Sequence, residues 1–259
     1  MTYLDAILED HRAQAAADRR PLEPAIEAAR AMPPVRGFTG ALAGAKTLSV
    51  IAEIKRRSPS KGDLAPDLDP ADMARRYASG GASCLSVLTD ERWFGGSRAD
   101  LAAARGAIDL PVLRKDFTVA ALDVCDARTM GADCVLLIAA ALDDAELADL
   151  HALAVEVSLD ALVEVHDEAE VERALAVGAR CIGVNQRDLV TFDVDTDRAV
   201  RVAPLIPAGV VRVAESGVRS ADDATRLAAA GYHAVLVGES LVKAGDPARS
   251  VHALRTAPT

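Results

Sequence analysis

Aromatic residues make up only 3% of this 259-residue chain, and its 4 cysteines never stand three positions apart. Without a Cys-x-x-Cys pair, the common zinc and redox motifs are excluded on spacing. Cys84, Cys134 and Cys181 lie in apolar, strand-like runs and Cys125 in a helical pattern, where cysteine serves as a small buried apolar filler. The 5 histidines are dispersed, so spacing offers no metal cluster. Apolar runs fall short of the ~20 residues that cross a bilayer, and the opening MTYLDAILEDHR has no signal-peptide core. A cytoplasmic protein is expected. Basic residues are outnumbered, 29 against 39 acidic, which gives a formal charge of −10 and a pI near 5.0. Such a chain repels phosphate backbones and anionic lipid, so neither a nucleic acid nor a membrane is an expected partner. An anionic substrate would have to be met by a local cluster of cations.

Lysine is scarcer still, at 5 of the 29 basic residues. A lysine kept in an arginine-rich chain marks a place where guanidinium will not serve, because an ammonium group can exchange its proton and guanidinium effectively cannot. Three of the five are Lys55, Lys61 and Lys115. Of these, Lys55 and Lys115 are the stronger functional candidates.

What the chain does have is 51% hydrophobic residues, enough for a large core. Eight short apolar runs read as strands: Ser49–Ile54, Cys84–Leu88, Val112–Leu113, Cys134–Ile138, Ala161–Val165, Cys181–Val184, Val210–Ala214 and Ala234–Val237. Between them the pattern turns helical. Leu147, Leu150, His151 and Ala154 share one helix face, and Gly178 follows another helix as a C-terminal cap. Apolar strands alternating with helices imply a parallel sheet covered on both faces. Eight such units fit a closed (β/α)8 TIM barrel. The rival doubly wound open sheet would want a Gly-x-Gly-x-x-Gly turn after a strand, and that turn is missing. Before the first strand, Leu4, Ile7 and Leu8 form an apolar stripe, so at least one helix should pack on the barrel. Residues 1–259 thus read as a single barrel domain, of which 1–48 is an N-terminal helical extension.

In such barrels chemistry sits at the C-terminal ends of the strands. Those ends carry Glu53 and Lys55, then Lys115, Glu164, Asn185 with Arg187, Glu215-Ser216-Gly217, and Gly238-Glu239-Ser240. Period two puts Ile51, Glu53 and Lys55 on one side of their strand, Leu113 with Lys115, Leu162 with Glu164, and Asn185 with Arg187. If those sides face inward, one mouth gathers acids and ammonium groups whose mutual burial should draw their pKa values toward neutrality, as general acid–base work requires. The glycines and serines after the last two strands offer free backbone N–H groups, and a short helix starting near Ser240 would add its positive end. That is the recurrent phosphate-binding place of this architecture.

Taken in order, IAEIKRRSPSKGDL, FGGS, PVLRKDF, ALVEVH, GVNQRDL, VAESGV and VLVGESL resemble the indole-3-glycerol-phosphate synthase family across essentially the whole chain. EIKRRSPSKG and GVNQRDL are the most specific of these stretches. The resemblance implies ring closure with loss of CO₂ and water, converting 1-(2-carboxyphenylamino)-1-deoxyribulose 5-phosphate to indole-3-glycerol phosphate in tryptophan biosynthesis. It implies no cofactor and no metal, and a sugar-phosphate substrate. The chain is too short for the fused phosphoribosylanthranilate isomerase domain that some relatives bear, so a monofunctional protein is expected, and a monomer. Lys115 would be the general acid at the ketone oxygen, and Glu164 would assist later proton removal. Glu53 and Lys55 would complete the charged ring, Lys55 steadying the substrate's anionic groups or giving a second proton; Asn185 and Arg187 would orient the sugar hydroxyls and substrate charge, with Glu215 beside them. Ser216, Gly217, Gly238 and Glu239 would hold phosphate through backbone groups, with Ser58 nearby. Phe94, Phe117 and Leu189 are candidates for an aromatic slot. Gln186 occupies a position that varies among members.

On sequence alone, two alternatives remain open. A sister phosphate barrel, such as phosphoribosylanthranilate isomerase or the tryptophan synthase α subunit, is one, although the isomerase is expected to pair a cysteine base with an aspartate acid where this chain has Glu-x-Lys. A Schiff-base aldolase using Lys115 as nucleophile belongs to the same class of reading. The other is a non-catalytic phospholigand-binding protein, which would bind without turnover.

Overall fold

The computed structural model describes residues 2–255; Met1 and residues 256–259, the ends of the expected 1–259 domain, lie outside the described residues. Eight parallel strands close into a barrel, each bonded to its chain neighbours and the last to the first. They are β1 (Ser49–Ile54), β2 (Cys84–Leu88), β3 (Val112–Lys115), β4 (Cys134–Ile138), β5 (Asp160–Val165), β6 (Cys181–Asn185), β7 (Val211–Glu215) and β8 (Ala234–Val237). Every expected strand is present. Three run one or two residues further than their apolar stretches, ending on Lys115, Asn185 and Glu215. The ladder continues through these polar ends, where Lys115 pairs with Leu88 and Asn185 with Glu215. The C-terminal rim of the barrel faces a cavity, so polar side chains at strand ends need not leave the sheet.

Closure decides which side chains meet. Inward positions fall in layers, each drawn from alternate strands. Cys84, Cys134, Cys181 and Ala234, on the even strands, form a low layer of small side chains; Ile51, Leu113, Leu162 and Val213, on the odd strands, belong to the same interior cluster. All 4 cysteines are free and buried, as fillers should be. Two residues above the odd-strand apolar layer come Glu53, Lys115, Glu164 and Glu215. Gly178, in the left-handed region at φ 79°, ends the helix Glu168–Ala176 as expected.

The extension holds three helices, α1 (Tyr3–Ala17), α2 (Leu22–Arg30) and α3 (Phe38–Ala43). Phe38 and Leu42 of α3 are fully buried and plug the N-terminal end of the barrel beneath the cysteine layer. Two buried or half-buried acids tie this plug down by accepting backbone N–H groups. Asp133 takes that of Arg36 at 2.8 Å and Asp160 that of Thr39 at 2.9 Å. At the opposite end of the extension, α1 reaches the other mouth, where Tyr3, Leu4 and Ile7 line the cavity. Among the described residues no helix is long and apolar enough to cross a membrane.

Candidate active site

A cavity of about 710 Å³ opens at the C-terminal mouth. Its walls include every residue singled out from the strand ends. Glu53, Lys55, Ser58, Phe94, Lys115, Phe117, Glu164 and Asn185 line it, with Arg187, Leu189, Glu215, Ser216, Gly217, Gly238 and Glu239. The floor is the upper odd-strand layer, where Glu53, Glu164 and Glu215 are 4%, 1% and 2% exposed. Lys115 Nζ stands 3.2 Å from Glu164 Oε2 and 3.9 Å from Glu215 Oε2, and Lys55 Nζ is 2.5 Å from Glu53 Oε1.

Local backbone choices make room for these acids. A Cβ at Gly183 of β6 would collide with the Glu215 carboxylate, and one at Gly238 with that of Glu53. Asn185 donates from Nδ2 to Glu164 Oε1 at 3.0 Å while its Oδ1 accepts the Arg187 N–H at 3.0 Å, which fixes the amide's orientation. Arg187 also donates to the Phe192 carbonyl at 3.0 Å, bracing the loop that carries Leu189.

The electrostatics differ from the sequence expectation in one respect. Glu215 behaves as anticipated: burial, and then the charge of Glu164, push its carboxyl up to about 8. Lys115 does the opposite. Burial alone would lower it, but Glu164, Glu215 and Glu53 together outweigh burial and hold the ammonium above its ordinary value. The expectation of a lysine drawn toward neutrality is therefore corrected, because three carboxylates surround one cation. Glu164 is held below the usual carboxylate range; burial opposes this, and Lys115, His166 and the bond from Asn185 overcome it. The site thus biases Glu164 toward its ionised form and Glu215 toward its protonated form, beside an ammonium that keeps its charge.

At the far side, Ser216 and Gly217 are consecutive left-handed residues at φ 64° and 77°. This conformation turns successive N–H groups to one side, a concavity suited to anions. Gln186 holds the turn by donating to the Ser216 carbonyl at 2.7 Å. The short helix expected near Ser240 starts at Glu239, with Gly238 as its N-cap. Its Glu239 carboxylate takes a bond from Lys243 Nζ at 3.0 Å, leaving the backbone to face the cavity. Sequence reasoning missed Lys243 and Arg219, both of which line this end beside Lys61. The scarcity of lysine was the signal that could have found Lys243, since Lys55, Lys61, Lys115 and Lys243, four of the five, line one cavity.

Phe94 and Phe117 stand 6.3 Å apart, tilted by 37°. Behind them the fold gives one of the dispersed histidines two acidic partners. His11 of α1 brings Nε2 to 3.0 Å from Asp90 Oδ2 and 3.8 Å from Asp116 Oδ1, and the ligand-type atoms of this trio lie within 4.8 Å of one another. Both acids already accept other bonds. Asp90 caps the turn bearing Phe94, and Asp116 takes the Phe117 N–H at 2.9 Å and Arg114 at 3.0 Å. The trio is a satisfied clasp that docks α1 against the aromatic wall, and it rests on tertiary contacts that spacing does not encode.

Comparison with known proteins converges on one family. A family model described as indole-3-glycerol phosphate synthase matches residues 4–254. The chain is 50% identical to the indole-3-glycerol phosphate synthase of Micrococcus luteus over 263 residues, covering 99% of this chain and 98% of that protein. It is also 50% identical to that of Mycobacterium avium, covering 100% and 95%. Against a Nocardioides protein of the same name identity reaches 59% over 78% of each chain. Among solved structures, a 3-hexulose-6-phosphate synthase superposes with a TM-score of 0.64 at 19% identity, over 82% of this chain and all of that one, a likeness of fold alone.

Proposed function

We propose a division of chemical work for this site on one premise: the chain belongs to the indole-3-glycerol phosphate synthase family. It is a decarboxylating lyase of tryptophan biosynthesis, closing 1-(2-carboxyphenylamino)-1-deoxyribulose 5-phosphate to indole-3-glycerol phosphate.

The ring carbon bearing the substrate's carboxylate attacks the ketone carbon, and Lys115 gives its proton to the ketone oxygen as the carbon–carbon bond forms. The carbon–carboxylate bond then breaks, releasing CO₂ and returning its electrons to the ring. In the last step Lys55 gives a proton to the new hydroxyl, which leaves as water, and Glu164 takes the proton from the neighbouring carbon of the new ring, which completes the indole. A cation at the oxygen that gains charge is worth more in the transition state than in the bound substrate. A raised pKa at a half-buried position among acids supports this role for Lys115, because it keeps the donor loaded until a substrate changes its surroundings. Lys55 steadies the substrate carboxylate beside Glu53, and Asn185 and Arg187 orient the sugar hydroxyls. Phe94, Phe117 and Leu189 clamp the aryl ring, while the backbone of Ser216, Gly217, Gly238 and Glu239, with Ser58 nearby, holds the phosphate. Gripping both ends of a flexible molecule brings the reacting carbons together, a large part of the barrier to ring closure.

The chain works as one domain, a monomer in the cytoplasm that engages neither nucleic acid nor membrane. The observation that carries the chemical reading is the single ammonium shared by two buried carboxyls on alternate strands, at 3.2 and 3.9 Å. Incubation with the carboxyphenylamino sugar phosphate, followed by indole fluorescence and CO₂ release, tests it. Stoichiometric growth of both signals is expected, and binding without either would overturn the reading.

A further inference from the structure

Two carboxyls that face each other in a dry site resist ionising together, so their surroundings must choose which keeps the proton. Glu164 and Glu215 are such a pair, and Lys115 touches both. Their other neighbours differ. Glu215 Oε1 is buried without a hydrogen-bond partner. Glu164 Oε1 accepts from Asn185, and a second group approaches it: His166 Nε2, at 3.5 Å.

His166 follows β5 by one residue and does not belong to the cavity wall. Its ring is fixed by Glu170 of the helix Glu168–Ala176, whose Oε2 accepts the His166 backbone N–H at 2.7 Å and lies 3.1 Å from Nδ1. An ionised carboxylate can only accept, so Nδ1 carries a proton and Nε2 is left aimed at Glu164. Nε2 is buried and has no hydrogen-bond partner of its own. The charged groups facing the ring are Glu164 on its own strand, Glu170 on the helix, and Arg198, which donates to the Asn185 carbonyl at 2.9 Å.

We propose that His166 is a positioning residue for the reaction: held by Glu170, it presents a positive charge to Glu164 from outside the cavity and so assigns the proton to Glu215. This rests on the reading of Glu164 as the base. Burial would lower the imidazole's pKa, but the Glu170 bond and the charges of Glu164 and Glu170 outweigh burial and the opposing Arg198, so it is raised. The same charge helps hold Glu164 low, and Glu164 in turn raises Glu215.

The test compares His166→Gln, which keeps a donor but no charge, with Glu170→Gln, which keeps the imidazole but removes the acid that favours its charged form. Two readouts are needed: kcat and KM across pH, and an isotope-edited infrared titration of glutamate carboxyls in the substrate-free protein, with Tm as a check on folding. In His166→Gln the acidic limb of kcat should move about one unit to higher pH, lowering kcat by up to about tenfold on that limb with KM changed less than about twofold. Glu170→Gln should move it the same way by less, and neither change should add to the loss in a Glu164→Gln background. The infrared titration of the pair should shift in both variants. An unshifted infrared titration in folded variants overturns the pairing, and so does a kcat that falls equally at every pH. An infrared shift with an unchanged rate profile overturns the catalytic part and traces the failure to the assignment of Glu164 as base.

Discussion

Lys115 on β3 and Glu164 on β5 stand 3.2 Å apart though 49 residues separate them, because closure places inward residues of alternate strands in one layer. If that ammonium is the proton donor, Lys115→Met should lower kcat by about 10²–10⁴-fold. Lys115→Arg should not restore it, since guanidinium holds its proton. Isothermal titration with the reaction product should still detect binding; near-normal turnover in Lys115→Met would remove it from the mechanism.

Glu215 gives a prediction of opposite sign from the usual carboxylate. Its ordinary pKa is near 4.5 and its native value about 8. Between those pH values the native state keeps a proton that the unfolded chain has released, so stability falls as pH rises through the window and the loss is complete above it. Glu215→Gln removes the linkage. Its Tm should decline less than the parent's from about pH 5 to about pH 8, as differential scanning calorimetry would read directly.

If the end of the cavity lined by Ser216, Gly217, Gly238 and Glu239 holds the phosphate, the cations beside it act through uniform binding rather than on the reacting atoms. Lys61→Ala and Lys243→Ala should each raise KM several-fold with kcat little changed, and the effect should shrink in high salt. A matching fall in kcat would place them nearer the chemistry. Progress curves at two ionic strengths suffice.

Docking of α1 should weaken as His11 loses its charge. Burial alone would lower its pKa, yet Asp90 and Asp116 raise it above 6.5. A raised histidine pKa contributes stability that is complete below the unfolded value and is lost as pH climbs through the folded one. Amide exchange in Tyr3–Ala17, corrected for intrinsic rate, should therefore speed up above neutral pH. In His11→Gln that dependence should vanish.

At the other end of the barrel, Phe38→Ala removes a fully buried ring from the α3 plug. A loss of about 3–5 kcal/mol in denaturant unfolding is expected. Turnover at a permissive temperature should stay near normal, since the cysteine layer and the odd-strand apolar layer stand between the plug and the acids at the mouth.

Much of this was legible before folding. Alternation of apolar strands with amphipathic helices identifies eight βα units, and Leu4, Ile7 and Leu8 identify α1. Reading only the strand ends collects the cavity's acids and bases, because side-chain period two ties Glu53 to Ile51 and Lys115 to Leu113 whatever the partner strand. Arg219 and Lys243 escaped because they sit in a loop and at the end of a short helix, where no period announces direction. His11 and His166 escaped for another reason: a histidine's role is set by the carboxylates around it, and Asp90 is 79 residues from His11.

The amino-acid sequence by itself determined the kinds of group available, the faces they share along each strand and the family to which the chain is kin, since local periodicity and residue type need no partner. Only the closed barrel decided that Glu53, Lys115, Glu164 and Glu215 occupy one layer, that Gly183 and Gly238 leave space for two of the carboxylates, and that the lysine stays charged while one of its neighbours does not. Proton affinity in a buried cluster depends on distances of a few ångströms between groups remote in the chain, and those distances exist only after the last strand has paired with the first.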